Sequence, residues 1–177
     1  MEIKFSEILA KNDTLKKEVE MLQSMDIVVL SNITVSQFPP ILEYTLRKEG
    51  VNANVKVANY DNILQDSKSI KSTEIPIIFW EVCNVIESIP YMIELENEEF
   101  HNAVFEKISS EIHLLINNLS KISLVFFNCF NHLPFSSTSV NQTKFQKLCE
   151  DLNDFLKKAR TKNIILIDID KPFFQLG

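Results

Sequence analysis

Asp26-Ile27-Val28-Val29-Leu30-Ser31-Asn32-Ile33-Thr34-Val35 sets an apolar, β-branched run against an abrupt turn to small polar residues. A helical pattern opens shortly after, at Pro39-Pro40-Ile41-Leu42. A strand buried on both faces reads as such a continuous run rather than as an alternation, which is the signature of a parallel sheet. Four further runs repeat it: Ala53–Val57, Ile75–Trp80, Ile122–Phe127 and Ile164–Ile169. Helical spacing fills the gaps. Pro39 to Glu49 aligns Ile41, Leu42, Thr45 and Leu46 and stops at Gly50, a natural residue just past a helix end. Glu98 to Leu119 carries Val104, Ile108, Ile112, Leu115 and Leu119 on one stripe, and Gln142 to Ala159 carries Phe145, Leu148, Leu152, Leu156 and Ala159. Strands alternating with helices imply an α/β three-layer sandwich, a five-stranded parallel sheet with right-handed crossovers and the flavodoxin-like order 2-1-3-4-5. Ahead of it, Phe5–Leu9 and Leu15–Leu22 read as two helical pieces parted by Lys11-Asn12-Asp13-Thr14. Residues 1–24 are therefore expected to form a helical appendage and 25–177 the α/β domain. A sheet of this type is ordinarily followed by a closing helix, so a longer parent protein is expected.

Composition narrows the chemistry. The 177 residues are 45% hydrophobic and carry a formal net charge of −6. The acidic balance and scattered Lys and Arg exclude a nucleic-acid groove, which needs clustered cations. Lys157, Lys158, Arg160 and Lys162 are the densest basic group, and they suit the end of a helix. No apolar stretch reaches the roughly 20 residues of a bilayer span. The N-terminus is mixed and charged, unlike a secretory signal. Three separated cysteines without a CxxC pair fit reduced thiols and a cytoplasmic location. With Gly50 and Gly177 as its two glycines, the chain holds neither a GxGxxG turn nor a P-loop, and no cofactor or metal is expected.

Open α/β sheets bind ligands beyond the carboxyl ends of their strands. There the chain places Ser31, Asn32 and Thr34; Asn59, Tyr60, Asp61 and Asn62; Glu81, Cys83 and Asn84; Asn128, Asn131 and His132; and Asp168 with Asp170. A polar cleft formed by Ser31, Asn32, Tyr60, Asp61, Glu81, Asn84, Asn128 and His132 is the expectation. Recurrent asparagines at these turns offer both donors and acceptors. Cys83 and Cys129 read as small buried hydrophobes, and the phenylalanine runs as core, while Trp80 is positioned to wall a pocket. Ser31 could be a nucleophile, a ligand donor or a cap. A serine hydroxyl needs a base within hydrogen-bond reach, and of the histidines His132 alone follows a strand.

Several segments carry a family resemblance. Leu30-Ser31-Asn32-Ile33-Thr34-Val35, Ile41-Leu42-Glu43-Tyr44-Thr45-Leu46, Gly50-Val51-Asn52-Ala53 and Asn59-Tyr60-Asp61-Asn62-Ile63-Leu64-Gln65-Asp66 resemble the start of FkbH-like proteins. Phe79-Trp80-Glu81-Val82-Cys83-Asn84, Phe126-Phe127-Asn128-Cys129-Phe130, Leu133-Pro134-Phe135 and Ile165-Leu166-Ile167-Asp168-Ile169-Asp170-Lys171 extend it in order over nearly the whole chain. The resemblance implies an N-terminal domain similar to SGNH hydrolases, ahead of a phosphatase domain of the haloacid-dehalogenase (HAD) superfamily. In that family the phosphatase domain helps load a glyceryl unit onto an acyl carrier protein, in polyketide or polysaccharide biosynthesis. It implies Ser31 in the nucleophile's place and Asn84 in that of the oxyanion donor. The strand-end positions, rather than the resemblance, give Asn32, Tyr60, Asp61, Glu81, Asn128 and His132 as the surrounding binding residues. The implied partners are the phosphatase domain of the parent chain and an acyl carrier protein, with no nucleic acid and no membrane.

The pattern is incomplete here. Val29-Leu30 precede Ser31 where the hydrolases have Gly-Asp, and no Asp-x-x-His block follows the last run. Asp168-Ile169-Asp170 is followed by Lys171-Pro172 rather than by the small residues and Thr of a phosphoaspartate site, so phosphatase chemistry is not carried onto this chain. The leading expectation is an accessory module that positions a carrier or substrate. The alternatives are a serine esterase or acyltransferase using Ser31, and a flavodoxin-like module unrelated to acyl chemistry.

Overall fold

The computed structural model describes residues 4–132 and 142–169. Five strands, β1 (Met25–Ser31), β2 (Ala53–Val57), β3 (Ile75–Phe79), β4 (Val125–Asn128) and β5 (Ile164–Ile167), form one sheet of order β2-β1-β3-β4-β5. Every pairing is parallel. The expected fold class and strand order hold. The order reverses between β1 and β3, which makes their carboxyl ends the topological switch point.

Strand alternation divides the core. Val28 and Leu30 of β1 face one side with Ile78, Val125, Phe127 and Ile164. There α4 (Ile89–Leu95), α5 (Glu98–Asn118) and α6 (Lys144–Ala159) bury them under Ile93, Ile108, Ile112, Leu115, Leu148 and Leu152. Ile27 and Val29 face the other side with Val55 and Ile77, under Phe38, Leu42 and Leu46 of α2 (Phe38–Lys48). A short α3 (Ile63–Asp66) follows β2. Asn97 and Thr143 cap α5 and α6, accepting the Phe100 and Gln146 N–H groups at 3.0 Å each. Gly50, at φ 77°, closes α2 as the sequence implies. No helix among the described residues is long and apolar enough to cross a membrane.

The N-terminal region differs from expectation. One helix, α1 (Phe5–Val19), runs through Lys11–Thr14. Asn12 is buried and fixed by two partners on α2, donating to Glu43 Oε2 at 3.2 Å and accepting from Arg47 at 2.7 Å. Those bonds offset the low helix propensity of the Asn-Asp pair. Arg47 also meets Glu43 at 3.1 Å and donates to the Ala53 carbonyl at 2.7 Å, while Glu43 Oε1 accepts the Val55 N–H at 3.0 Å. A buried polar cluster thus ties α1, α2 and the outer edge of β2 together. At the opposite edge Arg160 donates to the Ile164 carbonyl at 3.1 Å.

Candidate functional site

The turn after β1 absorbs Ser31. Its hydroxyl donates to the Ile33 carbonyl at 2.9 Å and accepts the Ile33 N–H at 3.0 Å, and the residue is 3% exposed. This is a local turn closed by a side chain, and it commits the single hydroxyl proton to a backbone acceptor. The Ser31 carbonyl accepts the Asp61 N–H at 3.0 Å, fixing the loop after β2 against the end of β1.

The asparagines work on the backbone as well. Asn32 Oδ1 accepts the Glu81 N–H at 2.8 Å and Asn32 Nδ2 donates to the Glu81 carbonyl at 2.9 Å. From the other side, Asn128 Oδ1 accepts the Trp80 N–H at 2.8 Å and its Nδ2 donates to the Trp80 carbonyl at 3.2 Å. The Asn128 amide further reaches the Cys129 carbonyl at 3.0 Å and Glu81 Oε1 at 3.4 Å. Asn84, in a 3₁₀ turn over Val82–Asn84, donates to the Asn32 carbonyl at 3.0 Å. Two side-chain amides therefore extend the ladder past the last residue of β3, one from the turn after β1 and one from the last residue of β4. Both asparagines are almost fully buried. They hold the sheet's end rigid and have little capacity left for a ligand.

Beside this bracket lies a cleft of about 260 Å³ at the switch point. Asp61, Trp80 and Asn84 line it together with Lys107 and Glu111 of α5. Asp61 has φ 55°, in the left-handed region that non-glycine residues enter rarely. Burial pushes the Glu111 carboxyl up; Lys107 draws it down, Asp61 pushes it up again, and the net direction is upward. The Cys83 thiol is raised by burial and then by Glu81, so it stays protonated, and it donates to Asn84 Oδ1 at 3.7 Å.

Of the residues expected to converge, Asp61 and Asn84 reach this cleft, and Trp80 walls it. Asn32, Glu81 and Asn128 are joined into the bracket beside it, Ser31 closes its own turn with Ile33, and all four are absent from the described lining. Tyr60 is 65% exposed, and His132 is half-buried after β4; neither belongs to that lining. Asp170 and Leu133-Pro134-Phe135 lie outside the described residues. Lys107 and Glu111 were missed from the sequence. Their signal was faint: Glu111 stands one turn from Ile108 and Leu115, a carboxylate on the flank of a buried stripe.

No family model matches the chain, and no curated protein matches it. Among solved structures it is similar to the crystal structure of the N-terminal part of the protein BF1531 from Bacteroides fragilis, described as containing a phosphatase domain complexed with Mg. The TM-score is 0.67 at 13% identity, over 99% of this chain and 48% of that one. The chain thus spans about half the length of that neighbour, and the likeness is one of fold.

Proposed function

We propose that the chain is an accessory α/β module of FkbH-like type, positioning a carrier-bound or sugar-linked substrate for a phosphatase-type domain. The observation that carries this reading is the Ser31 hydroxyl, whose proton goes to the Ile33 carbonyl at 2.9 Å beside a cleft that Ser31 does not line. A nucleophile needs that proton taken by a base. The cleft itself offers Asp61, Asn84, Lys107 and Glu111, groups suited to holding a polar ligand. A solved neighbour of the same fold belongs to a protein that contains a phosphatase domain, which supports the pairing of such a module with such a domain.

Two measurements test it. The chain should hydrolyse p-nitrophenyl acetate no faster than its Ser31→Ala variant. Titration with a holo acyl carrier protein should shift amide signals of Asp61, Asn84 and Lys107, and Asp61→Asn with Glu111→Gln should weaken that response. Turnover lost in Ser31→Ala but kept in Cys83→Ala would replace the module with the esterase.

A further inference from the structure

The cleft at the switch point holds a donor that the fold leaves open. Trp80 stands just past β3, and Asn128 holds its backbone N–H at 2.8 Å and its carbonyl at 3.2 Å, so the residue is fixed in place. Phe127 stacks on its indole at 6.2 Å between centroids, and Phe130 meets it edge-on at 6.3 Å. Neither ring offers a carbonyl or carboxylate acceptor. Trp80 is 4% exposed and forms part of the cleft wall, yet no acceptor among the described residues bonds its indole N–H. An indole N–H donates only, and a buried one ordinarily finds a partner. The charged groups of the same wall are open as well. Among the described residues, no hydrogen bond or ion pair closes the side chains of Asp61, Lys107 and Glu111. Lys107 and Asp61 both act on Glu111 through their charge, so the three groups share one neighbourhood.

We propose that this cleft binds a neutral, polyhydroxylated ligand the size of one sugar ring, its hydroxyls accepting from the Trp80 Nε1–H and the Lys107 ammonium and donating to Asp61 and Glu111. The proposal rests on the cleft being the ligand site of a positioning module, and it chooses a sugar-linked over a carrier-bound substrate. Charge comes first. Two carboxyl groups stand against one ammonium, so a phosphate or carboxylate ligand would face like charge. An amine would find acceptors but would set its own N–H groups against two further donors. A hydroxyl both donates and accepts, so neighbouring hydroxyls satisfy donor-only and acceptor-only groups together. Size agrees: about 260 Å³ lies below the roughly 300–1,000 Å³ of pockets that take drug-sized ligands. An extended carrier arm would outrun it; a single ring would not. Burial of the indole also lowers the local dielectric around its N–H, which strengthens a hydrogen bond made there.

Trp80 is the one tryptophan of the chain, so its indole N–H gives a single reporter signal in a nitrogen–proton correlation spectrum. The probes are methyl α-glucoside, methyl α-galactoside, methyl α-mannoside and myo-inositol, each added to the full chain. Inorganic phosphate, ethylamine and tetrahydropyran are the comparators. At least one polyol should move the indole signal saturably, with half-saturation at roughly 1–50 mM, as a few hydrogen bonds allow. Asp61→Asn combined with Glu111→Gln, and separately Lys107→Met, should each raise that concentration about fivefold or more. Trp80→Phe, which keeps an aromatic ring and deletes the donor, should do the same to the response of the Asn84 amide. No saturable movement with any polyol overturns the proposal, whether or not Trp80→Phe folds, and so does a half-saturation that no variant changes. A larger response to phosphate overturns it in favour of an anion site, to ethylamine in favour of a cation site, and to tetrahydropyran in favour of an apolar one. Polyol binding with no response to a holo acyl carrier protein supports the proposal and removes the carrier from the functional reading. A carrier response without polyol binding overturns this ligand class alone.

Discussion

The side-chain amide of Asn32 imitates a peptide group toward Glu81, accepting its N–H at 2.8 Å and donating to its carbonyl at 2.9 Å. Asn128 repeats the arrangement on Trp80. Both bonds of each pair are lost together when the side chain is shortened. Asn128→Ala should therefore cost about 2–4 kcal/mol, because it leaves buried backbone donors and acceptors unpaired. Asn128→Asp should cost at least as much, since it removes the donor and buries a charge. Urea denaturation of the two variants measures both.

Ser31→Ala removes the hydroxyl that serves the Ile33 N–H and carbonyl. A loss of about 1–2 kcal/mol is expected. The readout is a lowered thermal midpoint.

Arg47 joins Asn12, Glu43 and the Ala53 carbonyl in a buried cluster. Arg47→Ala strands Glu43 and Asn12 without their cation and should cost about 3–5 kcal/mol. Because Asn12 belongs to α1, that helix should become the first site of cleavage in limited proteolysis. Cleavage starting elsewhere, with α1 protected as in the parent, would contradict the tie.

Glu74 is nearly buried, and burial alone would push its carboxyl up. The Lys56 ammonium at 2.6 Å and the Lys71 N–H at 2.8 Å outweigh burial and hold it below the usual glutamate range. A depressed folded-state value stabilises the protein above the unfolded-state value, and this stability is lost as pH falls through the folded one. Glu74→Gln should flatten the stability curve below about pH 4. The step removed should stay under about 1 kcal/mol, because Lys56 is largely exposed and screened.

Glu111 behaves oppositely. Its carboxyl is raised by burial and by Asp61 against the pull of Lys107, so its contribution is present below the unfolded-state value and lost as pH rises through the folded one. Glu111→Gln should stabilise the protein at neutral pH, with the two urea midpoints converging in acid. Asp61→Asn should move the Glu111 carboxyl resonance to titrate at lower pH.

The sequence pattern and the structure agree where hydrophobic periodicity governs. Ala53–Val57 is a strand with the expected bounds, and the stripe from Val104 to Leu115 is the buried face of α5. They part where a polar side chain is spent on backbone. Asn32, Asn84 and Asn128 are polar strand-end residues by sequence, and nothing in one dimension distinguishes an amide offered to a ligand from one bonded to backbone 48, 49 or 52 residues away. Asn12 and Asp13 read as a break between helices because the partners on α2 lie 31 and 35 residues away. Glu111 is legible only as an imperfection in a helical stripe, since its relation to Asp61 exists only after the chain has closed.

The Glu43 contact at Val55 and the Arg160 contact at Ile164 have a colloidal meaning. An open sheet recruits foreign strands through its outermost unpaired amides and carbonyls. On β2 a carboxylate holds one such donor, and on β5 a guanidinium holds one such acceptor. Each margin of the sheet thus carries a fixed charge in a position an incoming strand would have to claim. Removing both, as in Glu43→Ala combined with Arg160→Ala, opens two templates at once and favours head-on growth of the sheet from molecule to molecule.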